Sequence, residues 1–295
     1  MANPLRVAVL THEFDEFPGD GYLLSRVCDA WREAGIEVVV VKGITEPAPA
    51  ADVALLHTNI TVVPTEYQAY ARRYPIVING GATNISKRRV SQHILTQSDA
   101  YPGPVIVKTD ANYGGRPEAR HALLRGEHSS QTGPVSWENA RSLAKYSIFR
   151  SSRDVPPGVW QNPTLVVDKF LPERNAAGEF VLRIWIFMGD RSLHYSCISR
   201  EPIIKSNNTL RREPLDRDKI PEELRQRRKE LGFDYGKFDY VQINGKAHLI
   251  DANKTPGLVN RDGGQENAEK FRHLSEGLHH LLREATAPTP EVLPS

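Results

Sequence analysis

Cysteine is almost absent. Cys28 and Cys197 are the only two in 295 residues, too few and too far apart for a disulfide framework or a zinc cage, so a reducing cytoplasm is the simplest setting. Net charge is nearly absent as well. The 38 lysines and arginines against 36 aspartates and glutamates leave +2, a field too small to favour nucleic acid or an anionic membrane as partner. Long apolar runs are missing: even FVLRIWIF is interrupted by Arg183, well short of the roughly 18 residues a membrane span needs. The start, MANPLRVAVLTHEF, has an apolar stretch of about five residues that ends at Thr-His-Glu, which reads as a buried strand and not a secretion signal. No serine or cysteine sits in a recognisable activating motif, and no internal repeat is apparent. Partners must therefore be argued from local sites.

What is present changes texture along the chain. LRVAVL, IEVVVV, VALLH and PIVING are short apolar runs, with YLLSRVCDAWREAG and PTEYQAYARRY helical in pattern between them. Near-continuous Val and Ile runs separated by amphipathic helices suit a parallel sheet covered on both faces, so residues 1–95 read as an open α/β domain. Its first loop, THEFDEFPGDG, follows the first strand, where such sheets bind ligands. His12, Asp15 and Asp20 could meet a substrate amine there, or the loop could be an ordinary connection. After KRRVSQHILTQSDAYPGP the pattern becomes α+β: PVIVKTD, TLVVDKFL, EFVLRIWIFMGD and RSLHYSCISR read as strands, and ANYGGRPEARH as a glycine-bearing loop. PEELRQRRKELG reads as a helix with Pro near its start and Gly after its end, its RQRRKE a solvated face because no aromatic residues interleave with the charges. ENAEKFRHLSEGLHHLLREA reads as one further helix, with His279 and His280 lacking metal-ligand spacing. The tail TAPTPEVLPS, three prolines in ten residues, reads as frayed.

The stretch FDYGKFDYVQINGKAHLIDANKTPG (233–257) reads as a hairpin with an acid on each arm. Residues two apart on a strand share a face, so Asp251 and Asn253 point the same way. A plain two-residue Asn-Gly turn would pair Ile243 with Lys246 and Asp239 with Ile250, turning Asp239 and Asp251 to opposite faces. Pairing Ile243 with Ala247 instead sets Val241 against Leu249 and Asp239 against Asp251. The apolar match favours this second register, which requires a three-residue loop or a bulge on one arm. Opposed carboxylates repel unless a cation lies between them. Two carboxylates and an amide oxygen suit magnesium held with waters and phosphates. Asp239, Asp251 and Asn253 are thus candidate metal ligands, expected on one face towards Lys108 and Arg183 across a cleft. A solvated edge hairpin is the alternative.

Other elements carry charge suited to phosphate. Lys108 ends an apolar strand just before Gly114 and Gly115, where backbone N–H groups can approach phosphate oxygens without Cβ interference; a flexible turn is the alternative. In TLVVDKFLPE the connection after the strand, Lys169-Phe170-Leu171, could pair its backbone with an adenine edge, with Phe170 and Leu171 as apolar walls and Glu173 accepting from ribose hydroxyls. Arg183 lies inside an apolar strand and needs a partner there, either a phosphate or a core carboxylate. Arg200, Lys205, Asn207 and Asn208 cluster in CISREPIIKSNN and could hold an anionic substrate or a triphosphate, or form a solvated loop.

The order of these elements, ending in D-x-N-x-x-P-G, resembles the ATP-grasp superfamily, and within it the carboxylate–amine ligases of the ribosomal-protein glutamate ligase and glutathione synthetase type. The resemblance covers most of the chain. It implies an N-terminal α/β domain (1–95), an ATP-grasp small lobe (96–175), a large lobe with the metal hairpin (176–286) and a flexible tail (287–295). It further implies ATP and Mg²⁺ held by Lys87, Lys108, Gly114, Gly115, Lys169, Phe170, Leu171, Glu173 and Asn208, with Asp239, Asp251 and Asn253 on the metal. Arg183, Arg200 and Lys205 would be catalytic. The activity implied is ADP-forming ligation of small-molecule carboxylate and amine substrates through an acylphosphate, with no nucleic-acid or membrane partner and with self-association left open. A non-catalytic nucleotide-binding sensor of the same fold is the main alternative. A sugar-nucleotide transferase would leave the D-x-N hairpin unexplained.

Overall fold

The computed structural model describes residues 3–19, 21–127, 136–143, 145–258 and 265–287; Asp20 and the prolines of the tail lie outside them. The N-terminal region is a four-stranded parallel sheet: β1 (Arg6–Thr11), β2 (Glu37–Lys42), β3 (Val53–Leu56) and β4 (Ile76–Ile78), in the order β2-β1-β3-β4. Between β1 and β2 runs α1 (Leu23–Glu33), whose Leu24, Val27, Cys28 and Trp31 are all buried. That spacing makes one helical stripe. α2 (Thr65–Ala71) covers the way from β3 to β4.

The next part begins with α3 (Lys87–Val90) and forms a second sheet. β5 (Ile94–Leu95), β6 (Val105–Thr109), β7 (Ser147–Phe149) and β8 (Leu165–Lys169) pair antiparallel in the order β5-β8-β6-β7 around their own apolar core. Between β6 and β7, the expected loop is only a 3-10 turn over Asn112–Gly115, followed by the helix α4 (Arg116–Leu124). The turn suits its sequence: Gly114 and Gly115 hold φ of 71° and 73°, the left-handed region glycine enters freely, and Pro117 starts a helix without losing a hydrogen bond. α5 (Pro157–Gln161) packs beneath β8.

The third sheet is antiparallel, with β9 (Glu173–Arg174), β10 (Phe180–Met188), β11 (Arg191–Ser199), β12 (Arg211–Pro214), β13 (Tyr235–Ile243) and β14 (Lys246–Asn253). Its order is β12-β11-β10-β13-β14, with β9 also on β10. On one face lies α6 (Glu222–Glu230), on the other α7 (Gln265–Ser275) and α8 (Gly277–Thr286). The expected single last helix is thus two. A Cβ on Gly277 would lie 1.9 Å from the Met188 carbonyl oxygen, so the chain passes the end of β10 at a distance only glycine permits. The basic run of α6 also departs from expectation. Arg228 lies over the Phe187 ring and donates to the carbonyls of Gly189, Phe233 and Asp234, and Arg227 donates to those of Arg89 and Val90. Those arginines satisfy chain ends instead of facing water.

The first and third sheets share one core, in which Val7, Val9, Leu24 and Trp31 pack with Ile184, Ile186, Tyr235 and Leu278. Buried Asn79 ties them together. Its amide donates to the Tyr235 carbonyl and its oxygen accepts from the backbone N–H groups of Asp234 and Tyr235. Among the described residues no helix is long and apolar enough to cross a membrane.

Candidate functional site

A cleft of about 200 Å³ opens between the second and third sheets. Ile106 and Lys108 of β6 and the Lys169–Glu173 connection form one wall; Phe180 to Leu182, Ile203 to Lys205, Val241 and Ile250 form the other; Lys87, Asp239 and Asp251 stand at one end. Lys108 and Lys87 reach it as buried cations. Lys108 Nζ pairs with the buried Asp168 carboxylate at 2.9 Å, Ser91 Oγ donating to the other oxygen. Lys87 Nζ pairs with Asp251 and also approaches Asn112 Oδ1 at 3.5 Å. In the connection, the amides of Lys169 and Phe170 are taken by the carbonyls of His93 and Pro104. Among the described residues that leaves Leu171 as the connection's one N–H without a backbone acceptor, because Pro172 has none.

The hairpin satisfies both turn chemistry and convergence. Asn244 and Gly245 hold φ of 52° and 77°, and Ile243 pairs with Lys246 in the two-residue turn that positive φ at both centres favours. The expected pairs Ile243 with Ala247 and Val241 with Leu249 do not form; Gln242 meets Ala247 and Val241 meets His248. A register shift between Asp239 and Tyr240 then leaves Ile250 as an extra residue on β14, so that Asp239 faces Asp251 and Lys237 faces Asn253. A bulge on one arm, not a longer loop, reconciles the register. Ile250 is put to use as an apolar wall of the cleft.

Around the acid pair the electrostatics are tight. Lys237 Nζ lies 3.0 Å from Asp239 Oδ1. Burial works against that ammonium, but the charges of Asp239 and Asp251 outweigh it and raise its pKa. Burial, with Asp251 close by, pushes the Asp239 carboxyl above the usual range despite Lys237. Burial opposes the Asp251 carboxylate too, yet Lys87's charge and hydrogen bond prevail and hold it below that range. Tyr146, on the rim, is raised to about 12 by burial and by Asp251 and Asp239. Two opposed carboxylates at a cleft end fit a hard divalent cation that keeps other ligands from water and phosphate. Asn253 fits less directly, since its oxygen accepts from the Thr255 backbone N–H at 2.8 Å and hydroxyl at 3.3 Å. Among the described residues no cluster of three His, Cys, Asp or Glu side chains could hold a metal.

No family model matches the chain, and no curated protein matches it. Solved structures do. D-alanine–D-alanine ligase from Bacillus anthracis superimposes with a TM-score of 0.51 at 12% identity, over 95% of this chain and 97% of that one. A RimK domain ATP-grasp protein from Sphaerobacter thermophilus gives 0.46 at 13%, over 94% and 99%, and the Bacillus ligase complexed with ATP gives 0.48 at 13%, over 97% and 99%. The chain has the fold of that D-alanine–D-alanine ligase.

The candidate ATP-grasp residues divide by position. Lys87, Lys108, Lys169, Phe170, Leu171, Glu173, Lys205, Asp239 and Asp251 line the cleft; Arg183, Arg200, Asn208, Asn253, Gly114 and Gly115 do not. Arg183 is held by Glu173 (Nη2 to Oε1 2.6 Å), whose Oε2 also accepts from the Gln242 N–H. Of its two possible partners it has the carboxylate. Arg200 is exposed on the loop after β11, and Asn208 braces that loop through Lys205 N–H, Ile203 O and Glu201. Lys205 lies over the Tyr146 ring, and Lys169 over Tyr101. Sequence reasoning missed Lys237, although its place two residues before Asp239 puts it on the same strand face. Tyr146 carried no such signal.

Proposed function

We propose that this chain is an ATP-dependent, ADP-forming ligase that joins a carboxylate to an amine or similar nucleophile through an acylphosphate. The observation that carries the reading is the cleft end, where Lys87, Lys108 and Lys237 surround a facing pair of carboxylates, Asp239 and Asp251. Such a set suits polyphosphate held with a divalent cation, and phosphoryl transfer asks mainly for positioning and charge. The adenine would lie between Phe170 and the Ile203–Ile204 wall with an acceptor edge on the Leu171 N–H, while Glu173, both of whose oxygens are taken by Arg183 and the Gln242 N–H, would brace that wall and not bind the ribose. Asp239 and Asp251 would hold Mg²⁺, which supplies charge neutralisation at the phosphates.

The substrate carboxylate takes the γ-phosphoryl group: a carboxylate O–P bond forms, the bond to the β-bridging oxygen breaks, and ADP leaves. Lys237 and Lys87 offset charge on the transferring oxygens. An amine then forms the C–N bond, phosphate departs with the C–O electron pair, and the amine proton passes to it. Hydroxylamine supplied with ATP, Mg²⁺ and pooled small carboxylic acids should give acyl hydroxamates together with ADP. ATP binding without ADP release from any pool of acids and nucleophiles would favour a sensor instead.

A further inference from the structure

His93 and His248 come from different sheets and meet ring to ring. His93 stands just before β5 of the second sheet, and its carbonyl accepts the Lys169 N–H where the connection begins. His248 lies on β14 of the third sheet opposite Val241, a residue of the cleft wall. Directly opposed residues on neighbouring strands share a face, so His248 stands on the side of the sheet that holds the cleft. His248 Nδ1 and His93 Nε2 are 3.1 Å apart, with ring centroids at 4.9 Å and planes tilted by 57°. Such a tilt is no stack: two nitrogens converge from two lobes. Both rings are half-buried, and neither lines the nucleotide cleft itself.

Two imidazole nitrogens that face each other need something between them. In the neutral pair it is one proton, carried by one ring and accepted by the other. Burial lowers the pKa of both rings, which keeps the pair neutral and its lone pairs available. The charges around it are mixed, with Asp168, Lys169 and Lys108 near His93 and Lys246 and Glu223 near His248. A transition metal ion is the other species that fits between two such nitrogens. Metal–imidazole bonds of about 2.0–2.1 Å at a tetrahedral angle set the nitrogens about 3.3–3.4 Å apart. The rings need to part only slightly to reach that spacing.

We propose that His93 and His248 form a binding site for a divalent transition metal ion of the zinc and copper class, which bridges the second and third sheets beside the nucleotide cleft. The ring that donates takes its other tautomer, both inward lone pairs bind the ion, and water fills the remaining positions, since among the described residues no third His, Cys, Asp or Glu side chain joins them. Imidazole suits Zn²⁺ and Cu²⁺, whereas Mg²⁺ prefers oxygen, so the ion suited to the acid pair does not compete here. Structural zinc sites use four protein ligands; a site with two holds its ion reversibly and answers to metal supply. The bound ion ties β5 to β14, and a cleft between tied sheets opens less readily to release nucleotide. That last effect rests on the nucleotide reading of the cleft, while binding of the ion does not.

The test begins with calorimetric titration of the full chain with Zn²⁺, without nucleotide and with Mg²⁺ in large excess. One ion per chain should bind. His93→Gln and His248→Gln should each weaken that binding at least tenfold with unchanged circular dichroism, and Asp251→Asn should leave it within twofold. Release of a fluorescent non-hydrolysable ATP analogue should then slow at least threefold on adding Zn²⁺ to the unaltered protein, and not in His248→Gln. No binding of Zn²⁺, binding retained in both histidine variants, or binding lost in Asp251→Asn, which would put the ion on the acid pair, would overturn the site. Zn²⁺ bound at the histidines with release of the analogue unchanged would overturn the bridge between sheets. Failure of the unaltered protein to bind the analogue, with Zn²⁺ still held by the histidines, would instead refute the nucleotide reading.

Discussion

At the scale of single residues, the buried Lys108 and the strand residue Arg183 each depend on a carboxylate brought by a neighbouring strand. Lys108 stood out as a strand-end cation, but the carboxylate that fixes it, Asp168, comes 60 residues later on the neighbouring strand. Arg183 was legible as a buried charge in need of a partner, and only the pairing of β9 with β10 brings Glu173 to it. The consequence for Lys108 is a double cost. Lys108→Ala should weaken nucleotide binding by about 1.5–3 kcal/mol and also destabilise the fold by about 3–5 kcal/mol, because Asp168 is left charged and buried. Adding Asp168→Ala should recover most of the stability in urea denaturation and none of the affinity in calorimetry; recovery of both would remove Lys108 from the nucleotide site. Lys254 poses the opposite case. It is fully buried with no hydrogen-bond partner at Nζ, so Lys254→Met, similar in length and apolar, should raise stability by about 1–3 kcal/mol. A loss of stability would mean that attraction to Glu118, the nearby carboxylate, outweighs the burial.

At the scale of elements, the hairpin shows how far a sequence rule reaches. The Asn-Gly turn signal and the apolar pattern pointed to different registers: the turn holds, with Ile243 on Lys246, and of the second register only the facing of Asp239 and Asp251 is found, while its pairs Ile243 with Ala247 and Val241 with Leu249 are not. The chain keeps the turn and absorbs the mismatch in one bulged residue, which no local signal marks because bulges answer to packing and to what lies across the cleft. The helices teach the same lesson: periodicity ran unbroken through residues 266–285, and the break at Gly277 follows from the close approach to Met188. Deleting Ile250 would return the hairpin to one continuous register in which Asp239 still faces Asp251. The expected outcome is a folded protein whose ATP binding still depends on Mg²⁺ but is weaker, because the apolar wall that Ile250 provides is gone. Calorimetry with and without Mg²⁺ checks this. Loss of the Mg²⁺ dependence would show that the bulge itself, and not the facing of the acids, builds the metal site.

At the scale of the whole molecule, the texture change from parallel α/β to antiparallel α+β was readable because the two sheet types bury different faces. The shared core of the first and third sheets was not, since it depends on α1 and α7 meeting across 244 residues, as Trp31 Nε1 does on the Ser275 carbonyl. Burial on this scale also sets a pH limit. His12, His57, His93, His121, His194, His248 and His273 all have pKa values lowered chiefly by burial, His57 to about 4. Above the ordinary histidine pKa of about 6.5 both folded and unfolded chains hold these rings neutral, and nothing is lost. Below it the unfolded chain takes up protons that the folded chain refuses, so stability falls as pH falls, for His57 over the window from about 6.5 to 4. Asp234 and Asp239, raised by burial, act in the opposite sense, their contribution being lost as pH rises from about 4 through their raised pKa values. Chemical denaturation should therefore give stability that already falls from pH 8 to 7, because burial lowers the Lys254 pKa to about 7 while the unfolded chain holds that proton, and that drops further between pH 7 and 5, where His57 alone contributes about 2 kcal/mol. His57→Leu, which also removes two unpartnered ring nitrogens, should flatten the drop by that share. An unchanged slope in that variant would mean that His57 is protonated in the folded chain, with the Asp15 carboxylate, whose charge favours the proton, holding it there.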